Sequence, residues 1–401
     1  MKAEPGMDTI ITDKTVQTRA ASAAVLSMAL CVAVLIASEF LPVSLLTPIA
    51  QELGVSEGAA GQAISISGLF AVITSLSIAR LTRGIDRKRV QSGLTALLTV
   101  SALIVTFAPD YQVLMIGRAL LGVAIGGFWS MSTAIVMRLL PPQSVLQGLA
   151  ALNAGNAIAA TIAAPLGSWL GDLIGWRGAF FFIVPLALLA LVGQWVSMPP
   201  LPADMQRKAS NPFRLLARSQ VALGMMAMFL LFMGQFALFT YLRPFMEGVA
   251  GFTVPQLSVT LLLIGLAGIA GTWLISRLLR RHLFALLIGI PLVMAGLAGL
   301  LLITWQTPVA VAALLFLWGI FATAAPVAWG TWLARTMGDD AEAGGGLQVA
   351  AIQLAIMSGA AVGGITFDAF GWQANFGLAA LLLLGASFAA SLTLKNLGAV
   401  K

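Results

Sequence analysis

The sequence predicts an all-α membrane protein, with twelve transmembrane helices in two pseudo-symmetric six-helix halves. Three observations carry that reading. Of the 401 residues, 59% are hydrophobic and 9% charged, with mean hydropathy +0.97, whereas a soluble domain has about 25% charged residues. Apolar segments approaching or exceeding the roughly 20 residues that cross a bilayer recur at 21–47, 59–80, 90–108, 112–137, 145–171, 178–198, 219–242, 255–276, 284–303, 308–333, 343–367 and 374–394. The chain also repeats itself. Gly54 and Gly251, Arg80 and Arg277, Gly122 and Gly319, and Arg138 and Arg335 are each 197 residues apart. Late in spans 5 and 11 the offset slips to 196, for Gly167 and Gly363, Asp172 and Asp368, and Trp176 and Trp372.

Taken in order, residues 1–20 are a polar cytoplasmic tail and 21–198 the first half. A cytoplasmic linker follows over 199–218, then the second half over 219–394 and a tail over 395–401. Pro199, Pro200 and Pro202 stop span 6, and Asn211-Pro212 reads as a cap before a short basic interfacial helix, Phe213 to Arg218. With both termini in the cytoplasm, every Lys and Arg falls on the inner side except Arg118, Arg177 and Arg243. That asymmetry is the positive-inside pattern. It also gives the pI of 10.2 a topological meaning rather than a nucleic-acid one. Cys31 and His282 are the only residues of their kinds, so no internal disulfide or Cys/His metal site is expected. No phosphate-binding loop is present to make ATP an energy source.

Span 1 contains a contradiction. Glu39 lies about 21 Å beyond Val25 and about 10 Å short of Leu46 at 1.5 Å rise per residue. A charge at such depth costs about 3 kcal/mol on insertion scales, so it faces a cavity, finds a cation or holds a proton. Arg118 of span 4, about 7–8 Å below the same surface, is the cation within reach. The two could couple proton binding to a conformational change, form a structural ion pair, or stay apart with Arg118 snorkelling outward. The offset of 197 puts Phe236 opposite Glu39, so any coupling rests on the first half.

The chain resembles the major facilitator superfamily, in its drug:proton antiporter branch, at several motifs. Arg80-Leu-Thr-Arg-Gly-Ile-Asp86-Arg87-Lys88-Arg89 is similar to the family's loop between spans 2 and 3. Gly117-Arg118-Ala-Leu-Leu-Gly122 is similar to its intramembrane arginine motif, and Ala164-Pro165-Leu-Gly167 to its antiporter motif. Glu39 to Gln62, Gly117 to Pro142 and Gly234 to Pro244 resemble the branch that exports purine ribonucleosides.

The resemblance implies proton antiport of nucleosides such as inosine and guanosine across a bacterial inner membrane, by rocking of the two halves. It implies no covalent catalysis and no cofactor beyond the proton gradient. The expected partners are the substrate, protons and the bilayer, with a monomeric chain and no nucleic acid. Sugar or drug efflux, or a membrane sensor that has lost transport, are the alternatives.

Asn156 and Gln353, again 197 apart, sit near the midplane. With Asn153, they offer donors and acceptors either to a nucleobase or ribose, or to neighbouring helices. Gln235 is a further polar candidate. Phe128, Trp129, Tyr241 and Trp318 could stack on a purine or simply pack. Trp329 and Trp332 are expected in the interfacial aromatic belt. Asp86, Arg87, Lys88 and Arg89 would form a cytoplasmic latch, or else serve topology alone.

Overall fold

The computed structural model describes residues 7–202, 212–337 and 341–398. The linker residues Arg207, Lys208 and Asn211 therefore lie outside the described residues. Helices run over Met7–Leu53, Glu57–Leu81, Arg87–Thr106, Tyr111–Leu139, Val145–Phe181 and Ile183–Ser197 in the first half. The second half has Ser219–Phe239, Val254–Thr304, Pro308–Met337 and Ala341–Gly398. Two of these, Val254–Thr304 and Ala341–Gly398, are pairs of spans joined without a loop and broken at His282 and Gly371, while Val145–Phe181 runs past a break at Gly175 into the first turn of span 6. Counting the two pairs, the described residues make the twelve passes that hydropathy predicts. The first helix begins earlier than span 1 requires and takes in part of the segment read as a tail. The expected interfacial helix is a 3-10 turn over Pro212–Ala217.

The repeat is visible in the backbone. The positive-φ glycines fall into two pairs, Gly54 (64°) with Gly251 (72°), and Gly175 (75°) with Gly371 (83°). The first pair has the 197 offset and the second the 196 slip. These turns need the left-handed region that only glycine enters without penalty. After each second-pair glycine comes a buried tryptophan set edge-on to a phenylalanine four residues later, Trp176 on Phe180 and Trp372 on Phe376. Close approach repeats as well. A Cβ on Gly122 would strike the Ser67 carbonyl of span 2, and one on Gly319 would strike the Ile264 carbonyl of span 8. Both contacts are related by 197, so spans 2 and 4 pack as spans 8 and 10 do.

Each half has its own apolar core, and large side chains such as Ile73, Leu189, Ile303 and Phe388 face outward, as lipid contact demands. Trp329 and Trp332 depart from the expectation of an aromatic belt. Both are 1% exposed and stack edge-to-face at 5.4 Å, with Trp332 against Gly224 of span 7. Facing glycine, the ring fills the second half's core instead of reaching the interface.

The end bearing Gly54 and Gly371 is called the far end, and that bearing Arg80 and Arg277 the near end. At the far end, Ser56 Oγ and the Gly58 N–H donate to Asp368, the latter at 3.0 Å. Arg243 donates to the Ser44 carbonyl, and Ser258 donates to Ser168 at 3.0 Å. Each of these links joins one half to the other. Tyr241 of the second half is fully buried within the first half's core cluster, its ring over Gly61. The far end is closed.

Candidate functional site

Span 1 carries Pro42 and Pro48 inside its helix. A proline has no N–H, so the carbonyl four residues before it loses its helical partner. The two carbonyls left open are Ser38 and Ser44. Arg118 Nη1 donates to Ser38 O at 2.6 Å, and Arg243, from the other half, donates to Ser44 O. Two of the three arginines on the wrong side of the charge pattern therefore fill gaps made by proline.

The rest of the Arg118 guanidinium is also engaged. Nε donates to Ala63 O at 3.0 Å, and Nη2 to Glu39 O at 3.3 Å and to Ser67 Oγ at 3.2 Å. Arg118 is 1% exposed and Glu39 is 3% exposed. The arginine thus meets the Glu39 backbone, and no ion pair within 4.0 Å joins the two side chains among the described residues. The Glu39 carboxyl feels the Arg118 charge from a distance and, less strongly, the amide of Gln353 on span 11. The sequence left Arg118 to couple with Glu39, pair with it or stay apart, and left Gln353 to the substrate or to a neighbouring helix. In the structure Arg118 meets the backbone of Glu39 rather than its carboxyl.

Around this contact the surface is aromatic and incompletely satisfied. Phe40 stacks on Phe236 at 5.8 Å, again across the halves, with Phe239 edge-on to both. Ser38 Oγ, Gln235 Oε1 and Gln353 Oε1 are buried without hydrogen-bond partners. Such atoms signal a missing ligand or water. Further toward the near end, Asn153 is exposed, and Asn156 and Trp129 are half-buried. A cavity of about 620 Å³ opens there between span 5 and spans 8 and 10, lined by Ala157, Thr161, Thr272 and Thr323 among others.

The remaining aromatic candidates are covered in this arrangement. Phe128 and Trp318 are 1% exposed within their halves' cores. Tyr241 stacks on Phe367 at 5.2 Å and donates to Ala360 O at 2.7 Å, which makes it part of the far-end seal. The basic loop stays within its own half. Asp86 caps Lys88 N, Arg87 bonds Thr82, and Lys88 lies 5.6 Å over the Trp195 ring; Arg89 is exposed.

Two six-span halves that share a buried polar interface and are linked across one end have the architecture of a membrane transporter. The chain belongs to the major facilitator superfamily, whose model matches residues 28–345. It is 52% identical over 378 residues to the transcription regulatory protein OpdE of Pseudomonas aeruginosa PAO1, covering 93% of this chain and 94% of that one. It is 45% identical over 368 residues to the purine ribonucleoside efflux pump NepI of Escherichia coli K12, covering 92% and 93%. Its fold is similar to the inward-facing, unoccupied crystal structure of a bacterial homologue of the human lysosomal transporter Spinster. That match has TM-score 0.71, 14% identity, and coverage of 93% and 95%. The human organic anion transporter MFSD10 matches with TM-score 0.66, 19% identity, and coverage of 93% and 99%.

Proposed function

We propose that the chain exports purine ribonucleosides such as inosine and guanosine from a bacterial cell in exchange for protons. In this reading it lies in the inner membrane with both termini in the cytoplasm, so the far end faces outward and this conformation opens inward. The observation that carries the proposal is the buried Glu39 carboxyl, with no cation within 4.0 Å among the described residues. An acid so placed changes the energy of the interface when it gains or loses a proton, and can bias which end is open. The 45% identity to NepI supports the substrate class. The open acceptors at Gln235 and Gln353 suit the N–H and O–H groups of a nucleoside.

The test is uptake of radiolabelled inosine into inverted vesicles under an imposed proton gradient, with arabinose and chloramphenicol as competing substrates. Gradient-driven inosine accumulation supports the proposal, whereas accumulation of only the sugar or the drug moves the chain to another efflux class. A second reading, favoured by the 52% identity to OpdE, is a membrane protein whose role is regulatory. Counterflow in proteoliposomes separates the two, because a protein that does not transport exchanges no labelled inosine.

A further inference from the structure

We infer that the groove between spans 5 and 8 is a site for an anionic phospholipid, with one acyl chain in the groove and the phosphate on Arg277. The inference goes beyond the proposed export and does not depend on which molecule is carried.

The two flanks of the interface between the halves differ. On one flank, spans 2 and 11 touch from the Gly58 N–H on Asp368, through Gln62 Nε2 on Ala361 O at 3.2 Å, to Gly68 against Met357. That contact runs for about 15 Å. On the other flank, Ser258 meets Ser168 at 3.0 Å, and Gly265 lies so close to Thr161 that a Cβ would strike its backbone. Toward the near end from there, the cavity of about 620 Å³ separates span 5 from span 8.

The lining on span 8 extends from Gly268 to Arg277. That is about 14 Å, the depth of one leaflet of a hydrocarbon core roughly 30 Å thick. Leu262, Leu266, Ile269 and Trp273 follow one another at helical spacing on an exposed face of the same span. In a membrane chain such a face meets acyl chains, so the groove opens onto lipid. Three hydroxyls of the lining are already engaged within their own helices. Thr161 donates to Ala157 O, Ser276 to Thr272 O and Thr323 to Gly319 O. They offer a guest no proton, which suits a hydrocarbon chain better than a nucleoside.

At the near-end mouth the chemistry reverses. Arg277 is exposed, its Cζ lies 3.6 Å from the Trp273 ring centroid, and no carboxylate is within 4.0 Å of it among the described residues. Stacking occupies the flat face of the guanidinium and leaves its N–H edge for a phosphate. Tryptophan is enriched at the membrane interface, and basic pockets between spans take anionic headgroups. A cationic edge above an apolar trough one leaflet deep matches a phospholipid rather than a free anion. Closing the near end would press spans 5 and 8 together, so a lodged chain favours the arrangement seen here.

The test uses the purified protein in phosphatidylcholine nanodiscs, with a trace of phosphatidylglycerol that carries a photoreactive group at the end of one acyl chain. Crosslinks should fall on Ala157, Thr161 and Thr323. Unlabelled phosphatidylglycerol should compete about fivefold better than phosphatidylcholine, the preference that one arginine confers at a membrane surface. Arg277→Gln should erase that preference. Ala157→Phe, which fills the groove and keeps Arg277, should abolish the Thr323 crosslink. Crosslinks spread evenly over lipid-facing residues, or equal competition by the two lipids, overturn the inference. Displacement by inosine or inorganic phosphate but not by phosphatidylglycerol gives the groove to the exported molecule or to a free anion, and overturns it as well. Phosphatidylglycerol should also slow maleimide labelling of Ser44→Cys, behind the far-end seal, in a Cys31→Ser background, and an unchanged rate overturns the link between lipid and conformation.

Discussion

At the level of Glu39, the first half places a carboxyl on span 1 and a guanidinium on span 4. One repeat later the second half has Phe236 and Leu315, both buried and apolar. The backbones correspond closely enough that Gly122 and Gly319 meet the equivalent carbonyls of spans 2 and 8, so the difference lies in side-chain chemistry rather than in fold. The asymmetry divides the work. One half holds the ionisable group, and the other sets an apolar aromatic face against it, Phe236 on Phe40 at 5.8 Å. A second acid at the symmetric position would repel the first across a low-dielectric gap.

The largest expected effect comes from exchanging these chemistries. Arg118→Leu leaves the Ser38 carbonyl without a partner and removes three other hydrogen bonds. Each bond to a charged group contributes about 1.5–3 kcal/mol, so folded protein in detergent extracts should fall well below half the parent level. Leu315→Arg, the same swap in the other half, should be as damaging, because Phe239 stands one repeat after Pro42 and keeps its N–H for the Gln235 carbonyl. Size-exclusion profiles at matched expression check both. If Leu315→Arg is tolerated, the halves are less specialised than the side chains indicate.

A middle-sized effect separates the two far-end aspartates. Asp368 accepts from the first turn of span 2 across the halves, whereas its repeat partner Asp172 is exposed. Asp368→Asn loses a charged cap of about 1 kcal/mol, which should open the far end about fivefold more often. The readout is impermeant-maleimide labelling of Ser44→Cys, buried behind that seal, in a Cys31→Ser background. Asp172→Asn should leave the rate unchanged. Equal acceleration by both variants would show that the seal is symmetric.

The smallest effect probes what the halves share. Gly175→Ala and Gly371→Ala each put a side chain at positive φ with ψ of 163° and 175°, a region essentially reserved for glycine, at a cost of about 1–3 kcal/mol. The two should lower the thermal unfolding midpoint by similar amounts, within a degree or two of each other. A large difference would mean that the two turns are not equivalent.

The parts of this account that were legible in the sequence are those that depend on hydropathy and spacing. The twelve passes, the repeat and the depth of Glu39 follow from composition and 1.5 Å per residue. The partners of Glu39 and Arg118 depend on rotamers and on contacts between halves, which spacing does not encode. One signal was available. Pro42 and Pro48 mark the open carbonyls of Ser38 and Ser44, and the arginines they attract could have been sought from that alone. Trp329 and Trp332 were misplaced for a related reason. Their position along the span suggested an interface, but the side of the helix facing Gly224 decides their environment.

The central claim is that Glu39 is the proton carrier, and its most direct test is Glu39→Gln. Glutamine keeps the shape but does not titrate. Inosine uptake into inverted vesicles would be measured for the parent and for Glu39→Gln at matched expression, with and without an imposed proton gradient. The account predicts that Glu39→Gln loses gradient-driven accumulation while still exchanging labelled for unlabelled inosine. Accumulation equal to the parent's would contradict it and make Glu39 a structural acid.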